Sequence, residues 1–176
     1  MEFNKFSFVY YEVSRGIGAL IFSNIGVAGL VLPCIEKEEA IREVYKKFSL
    51  SVDCEITEFV DDKNSLIRPL LYYFQGRKVK FNYVLDLKGF TEFEKEVYKA
   101  VSSIPYGKQK SYKWVAETVG KPGAYRAVGN ALAKNPAPIV IPCHRVIASD
   151  GRLGGWSGKR GWKEKLIGLE GLRVKN

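Results

Sequence analysis

The sequence predicts an α/β chain of the α+β kind in two domains. Residues 1–86 should form a three-stranded antiparallel sheet with helices, and residues 87–176 a mostly helical domain with a helix-turn-helix. Three observations lead there. Strand-like runs crowd the start of the chain, helical spacing of apolar residues dominates beyond residue 90, and the charge balance changes where the two meet.

The first runs, 6–13, 16–23 and 26–32, are rich in aromatic and branched side chains. Ser14-Arg15 and Asn24-Ile25 separate them, and both are short enough for hairpin turns, so a meander follows. In 36–48, Ala40, Ile41, Val44, Tyr45 and Phe48 recur at three- and four-residue steps, which places them on one face of a helix. A second helix is expected over 65–74, stopping before Gly76. A further strand is expected over 79–85, followed by the linker Asp86-Leu-Lys-Gly89.

The second domain opens with Thr91-x-x-Glu94, a capping-box pattern. Phe93, Val97, Tyr98 and Val101 follow at helical spacing, and Ile104-Pro-Tyr-Gly107 ends that helix. Ser111 can cap a short helix through Val119, closed by Gly120. Beyond Pro122-Gly123 another helix spans 124–134 and runs into Asn135-Pro136. These two helices and their glycine-containing turn are the helix-turn-helix candidate. A last helix is expected over 162–169, after a glycine-rich loop.

The net charge of +9 is localised: residues 1–89 carry 12 basic and 12 acidic side chains, residues 90–176 carry 16 and 7. Such an asymmetry points to a polyanionic partner for the second half, a nucleic acid or an anionic membrane; a basic surface that only keeps the protein soluble is the other reading. No stretch reaches the ~18 consecutive apolar residues of a membrane span, and the N-terminus has no secretory pattern. Cys34, Cys54 and Cys143 form no short-spaced pair. Reduced thiols in an intracellular, cytoplasmic setting are therefore expected, with Cys34 and Cys54 inert. A zinc site is disfavoured because no Cys-x-x-Cys or His-x-x-x-His spacing exists; no metal and no cofactor are expected.

The sharpest chemical signal is Cys143 beside the sole histidine, His144, after an apolar run that ends in Pro142. A cysteine becomes a strong nucleophile as a thiolate, and imidazole is the usual proton acceptor near neutral pH. A buried, inert cysteine is the alternative. Neighbours on an extended strand point to opposite faces, so the pair can cooperate only if the chain turns after Pro142 or a water bridges them.

Ile141-Pro-Cys-His-Arg-Val146 resembles the active-site signature of the O6-alkylguanine-DNA alkyltransferases. Ile104-Pro-Tyr-Gly107, Ser111-Tyr112, the run 124–130, Asn135-Pro136-x-Pro138, Gly154-x-x-Ser157-Gly158 and Leu169-Glu170-Gly171 follow the same pattern in order, covering about residues 90–173. The resemblance implies a ribonuclease-H-like first domain and a winged-helix-like second domain. It also implies direct-reversal repair: Cys143 takes the alkyl group from O6-alkylguanine in duplex DNA, in one irreversible turnover, with O4-methylthymine left open as a second substrate. His144 would accept the thiol proton through a water and Glu170 would orient the imidazole. Tyr112 would donate to the guanine ring, and Arg126 would fill the space left by the flipped base. Asn135 would brace the helix-turn-helix against the active-site loop. Val146 and Cys143 would offer backbone carbonyls to the base, Ser157 a backbone donor, and Pro138 a pocket wall.

Double-stranded DNA would lie with its minor groove against a small-sided helix containing Ala124, Ala127, Gly129 and Ala131. Lys134, with Lys108, Lys110, Lys113 and Lys121, would neutralise phosphates. A monomer without membrane contact is expected. Trp156 stands where many members have tyrosine, and the zinc ligands of some members' first domain are missing. Two other classes remain open: a lesion-binding relative that does not transfer, although such proteins replace the cysteine, and a cysteine hydrolase.

Overall fold

The computed structural model describes residues 6–47, 57–58, 67–154, 159 and 161–175. The chain divides into two compact units, Met1–Asp86 and Leu87–Asn176.

In the first unit β1 (Ser7–Val13), β2 (Gly16–Phe22) and β3 (Val27–Cys34) form the antiparallel meander, with Val13 paired to Gly16 across the Ser14-Arg15 turn. α1 (Lys37–Lys47) packs over β2 and β3, and Ala40 and Val44 join Phe8, Ala19, Ile21, Val31 and Cys34 in one core. Phe48, the expected end of that helix, lies outside the described residues. A short β4 (Thr57–Glu58) adds to β1 in parallel, so the sheet order is β3-β2-β1-β4. Gly18 lies opposite Tyr11, whose ring crosses it closely enough that a Cβ would sit 2.3 Å from the ring. The tyrosine hydroxyl can thereby reach the Val31 carbonyl, donating at 2.8 Å.

α2 (Arg68–Phe74) ends at Gln75, with Gly76 in the left-handed region; the first residues expected for it, 65 and 66, lie outside the described set. The expected strand over 79–85 is corrected by the structure. Its burial alternates as a strand's would, yet among the described residues its strand bridging is confined to Leu85, where Val27 N donates to the Val84 carbonyl and Asp86 N to the Val27 carbonyl, both at 2.8 Å. A period of two sets which side faces inward, but a strand also needs a partner along its length.

The second unit begins with α3 (Glu92–Ser102). Its capping box is complete: Thr91 Oγ1 accepts from Glu94 N, and Glu94 Oε2 accepts from Thr91 N at 2.9 Å. Such a cap contributes about 1 kcal/mol. β5 (Lys110–Ser111) leads into α4 (Tyr112–Thr118), where Ser111 Oγ accepts from Trp114 N. Gly120 N and Lys121 N close α4 on the carbonyls of Glu117 and Ala116, the pairing of a glycine-terminated helix. The turn passes through Gly123 to α5 (Tyr125–Ala133), which packs on α3 and α4, with Tyr98 donating to the Ala131 carbonyl at 2.9 Å. β6 (Val146–Ile147) pairs in parallel with β5, and α6 (Trp162–Leu169) closes the unit.

Candidate active site

Cys143 sits in a single 3-10 turn, Cys143–Arg145, and not at the end of a strand. The residues before it are looped. Ile141 N bonds back to Ala137 O at 2.8 Å, and Ile139 holds a left-handed φ of 76°, strained for a β-branched residue. Arg145 N then closes on Pro142 O at 2.9 Å. The turn after Pro142 removes the strand objection, because adjacent side chains no longer have to point to opposite faces.

Asn135 stands at the centre of this loop. Its Nδ2 donates to the Ile141 carbonyl at 2.8 Å and to Cys143 Sγ at 2.9 Å, and its Oδ1 accepts from Ala137 N. The asparagine thus braces the loop and also touches the sulfur. Cys143 is 5% exposed and His144 fully buried.

Behind the histidine lies Glu170, the C-cap residue just past α6. Gly171 N and Leu172 N close on the carbonyls of Gly168 and Ile167, with Gly171 in the left-handed region. That termination leaves the Glu170 side chain pointing into the unit. A carboxylate at a helix C-terminus is unfavourable by itself, so it needs donors, and it has them. His144 Nε2 meets Oε1 at 2.8 Å, Arg145 Nε reaches both oxygens, Arg145 Nη2 reaches Oε1, and Gly107 N donates to Oε2 at 3.0 Å. Burial would push this carboxyl upward, but the hydrogen bonds from His144, Arg145 and Gly107 outweigh it and hold it at about 2. Burial lowers the His144 imidazole below its ordinary value. The nearby charges of Arg145 and Lys163 act in the same direction, against the pull of Glu170.

Tyr112 opens α4, its hydroxyl 3.4 Å from Lys163 Nζ. Burial, then the neighbouring Cys143, raises its phenol to about 12, so it remains a proton donor at neutral pH. Gly154 packs against the same ring, with a φ of 68° and room for no Cβ, which would lie 2.9 Å from the ring. Lys163, only 2% exposed, also donates to the Leu153 carbonyl, and burial brings its amine down to about 8.

The structure gathers Cys143, His144, Glu170, Tyr112 and Asn135. Val146 is buried in β6, and Pro138 is half-buried with a single bridge to Ile141. Arg126 and Ala127 are exposed on α5. Ala131 is a correction: it is buried under Tyr98 and lies on the inward face of the helix. Lys134 is exposed but reaches back to Glu94 at 2.7 Å, so its charge is already shared with a carboxylate. Ser157, Trp156 and Cys54 lie outside the described residues.

Sequence reasoning missed Arg145 and Lys163. Arg145 is a charge inside an apolar run, and such a charge must be paired once buried. Lys163 shares the helical spacing of Leu166, Ile167 and Glu170, so it lies on the inward stripe of α6. Both signals were readable.

Fold and site together define a domain with a buried cysteine, a histidine–carboxylate pair behind it, and a helix-turn-helix in the same compact unit. Residues 92–172 match the family model described as 6-O-methylguanine DNA methyltransferase, DNA binding domain. The methylated-DNA–protein-cysteine methyltransferase of Methanosarcina barkeri is 50% identical over 103 residues, 58% of this chain and 65% of that protein. The match therefore spans just under two thirds of that relative's length. The Sulfolobus acidocaldarius protein of the same name is 44% identical over 126 residues, 69% of this chain and 77% of its own. The crystal structure of Mycobacterium tuberculosis OGT in complex with DNA is 31% identical with a TM-score of 0.74, covering 93% of this chain and 92% of that one. The chain belongs to the 6-O-methylguanine DNA methyltransferase family.

Proposed function

We propose that this chain repairs DNA by direct reversal, moving the alkyl group of O6-alkylguanine onto its own Cys143 in a single turnover. The thiol proton passes through a water to His144 Nδ1, while Glu170 holds Nε2. Asn135 Nδ2, 2.9 Å from the sulfur, favours the thiolate. The sulfur attacks the alkyl carbon in line, an S–C bond forms, and the O6–C bond breaks with its electron pair going to the guanine. Tyr112, protonated at neutral pH, donates to the ring as that charge develops. The product is a thioether, which nothing in the relay can hydrolyse.

A nucleophile in a buried turn cannot reach O6 inside a base stack, so the lesion is flipped out at a cost of a few kcal/mol, least for a weakly paired base. Arg126, exposed near the start of α5, fills the gap. Ala127 and the exposed face of α5 lie in the minor groove, whose degenerate code suits repair in any sequence. Pro138, the Val146 backbone, Ser157 and Trp156 shape the pocket. Residues 87–176 form the DNA-binding and active-site domain. The protein works as an intracellular monomer; no helix among the described residues is long and apolar enough to cross a membrane.

The geometry around Cys143 carries this reading: a sulfur held by Asn135, beside a histidine tied to a buried carboxylate. Incubation with duplex containing O6-methylguanine is expected to add one methyl mass to the peptide with Cys143, and Cys143→Ala to add none. Repeated turnover, or modification at another residue, defeats the proposal. Transfer should hold its rate down to pH values below the ordinary imidazole value of 6.5, since His144 is lowered, and decline in stronger acid as the ring protonates.

A further inference from the structure

We infer that Arg145 is a positioning residue for alkyl transfer: its guanidinium, forked onto Glu170 and anchored on the Ile104 carbonyl, fixes the His144 tautomer and keeps the resting imidazole neutral. The inference rests on His144 acting as the proton acceptor.

Arg145 is almost fully buried and its donors are directed. Nε lies 3.1 Å and 3.0 Å from the two Glu170 oxygens, Nη2 lies 2.9 Å from Oε1, and Nη1 lies 2.6 Å from the Ile104 carbonyl. The guanidinium carbon sits 5.8 Å from the centre of the Tyr106 ring, and Tyr106 donates to the Leu169 carbonyl beside Glu170. With Gly107 N on Oε2, both carboxylate oxygens are occupied by donors. A carboxylate so occupied keeps its charge and has no lone pair left for a proton of its own. The proton between Glu170 and His144 Nε2 therefore belongs to the ring, and Nδ1 carries the lone pair that can accept.

The charge count leads to the second half of the role. Glu170 and Arg145 cancel, so His144 faces a neutral pair. Without Arg145, a buried carboxylate 2.8 Å from the ring would draw a second proton onto it, and an imidazolium at rest cannot accept the thiol proton. Among the described residues Lys163 on α6 also acts on the ring, and the Cys143 thiol, its neighbour in sequence, acts on Lys163 in turn. Lys163 also disfavours imidazolium, but its ammonium is engaged with Tyr112 and the Leu153 carbonyl. Of these two cations it is Arg145 that touches Glu170 and offsets its charge.

The chain has a single histidine, so one imidazole resonance reports its state without assignment. In DNA-free wild-type protein, nitrogen-detected NMR is expected to show His144 neutral and protonated on Nε2 at pH 7. Arg145→Gln is expected to raise the titration midpoint by about one pH unit or more, and to move the acid limb of the transfer rate by the same amount. Arg145→Lys keeps the charge but not the fork, so its midpoint should stay near wild type while transfer slows. A purely structural arginine would lower stability in both variants and leave the midpoint in place.

An Nδ1-protonated ring or an imidazolium in wild type at pH 7 overturns the inference. So does a midpoint unmoved in Arg145→Gln, or moved equally in both variants. Should the glutamine variant not fold, the wild-type tautomer and the lysine variant decide. The titration needs no DNA, so failure of the methyl-transfer assay leaves its outcome separately readable.

Discussion

Replacing Glu170 with glutamine should unsettle the second unit through one buried carboxylate, by an amount the structure allows to be worked out. Both oxygens receive donors within 3.1 Å, from His144, Arg145 and Gly107 N. A glutamine amide keeps one acceptor and turns an NH2 toward the other donors, leaving the buried guanidinium without its counter-charge. Removing one partner of a buried pair costs about 3–5 kcal/mol. Proton linkage gives a second route. The carboxyl is held at about 2 against an ordinary 4.5, a depression that stabilises the native state by about 3 kcal/mol at neutral pH. Because the folded value is depressed, the contribution is complete above the unfolded value and drains away as pH falls toward 2. At pH 3 about 1–2 kcal/mol of it should remain.

The assay is urea unfolding of wild type and Glu170→Gln at pH 7 and pH 3, followed by tryptophan fluorescence. All three tryptophans, Trp114, Trp156 and Trp162, belong to the second unit, so the signal reports that unit alone. The gap between the proteins should be about 3 kcal/mol at pH 7 and shrink by roughly half at pH 3. A gap below about 1 kcal/mol at pH 7, in the range of an exposed pair, would refute the reasoning. So would a gap of equal size at both pH values.

Other outcomes follow from neighbouring contacts. Asn135→Ala removes the donor to Cys143 Sγ and should slow single-turnover transfer about a hundredfold; a rate within threefold of wild type would show that this contact does not support the thiolate. Gly154→Ala places a methyl group 2.9 Å from the Tyr112 ring at a positive φ. It should cost about 1–2 kcal/mol in urea unfolding and slow transfer, and an unchanged midpoint counts against this packing. Lys163→Met removes a buried cation and its contacts to Tyr112 and Leu153. Stability should change by about 1 kcal/mol or less, because the desolvation cost leaves with the charge, while rapid-quench transfer with O6-methylguanine duplex should slow at least about tenfold.

Much of this was legible in one dimension, for identifiable reasons. The capping box at Thr91 and Glu94, the Ser111 cap and the glycine stops at Gly76 and Gly120 are local devices, decided within a few residues, and each helix they bound was located closely. The expected strand over 79–85 failed because pairing is not local: its alternation was correct, but among the described residues its strand bridging is confined to Leu85. Ala131 failed for a related reason. Small side chains on a helix suit a DNA groove and a helix–helix contact equally, and only the position of α3 assigned Ala131 to the latter.

The sequence by itself determined the cysteine beside the single histidine, the basic second half and the order of the helices, because covalent adjacency, charge and helical period are properties of the chain. Only the tertiary structure decided how Cys143 and His144 relate. Asn135 and Glu170 reach the Cys143–Arg145 turn from separated parts of the second unit, and their groups meet those of the turn only once the loop before Pro142 closes. Burial then does what no sequence spacing can specify. It strips water from the carboxylate, the guanidinium and the imidazole, so each charge is set by the partner it touches.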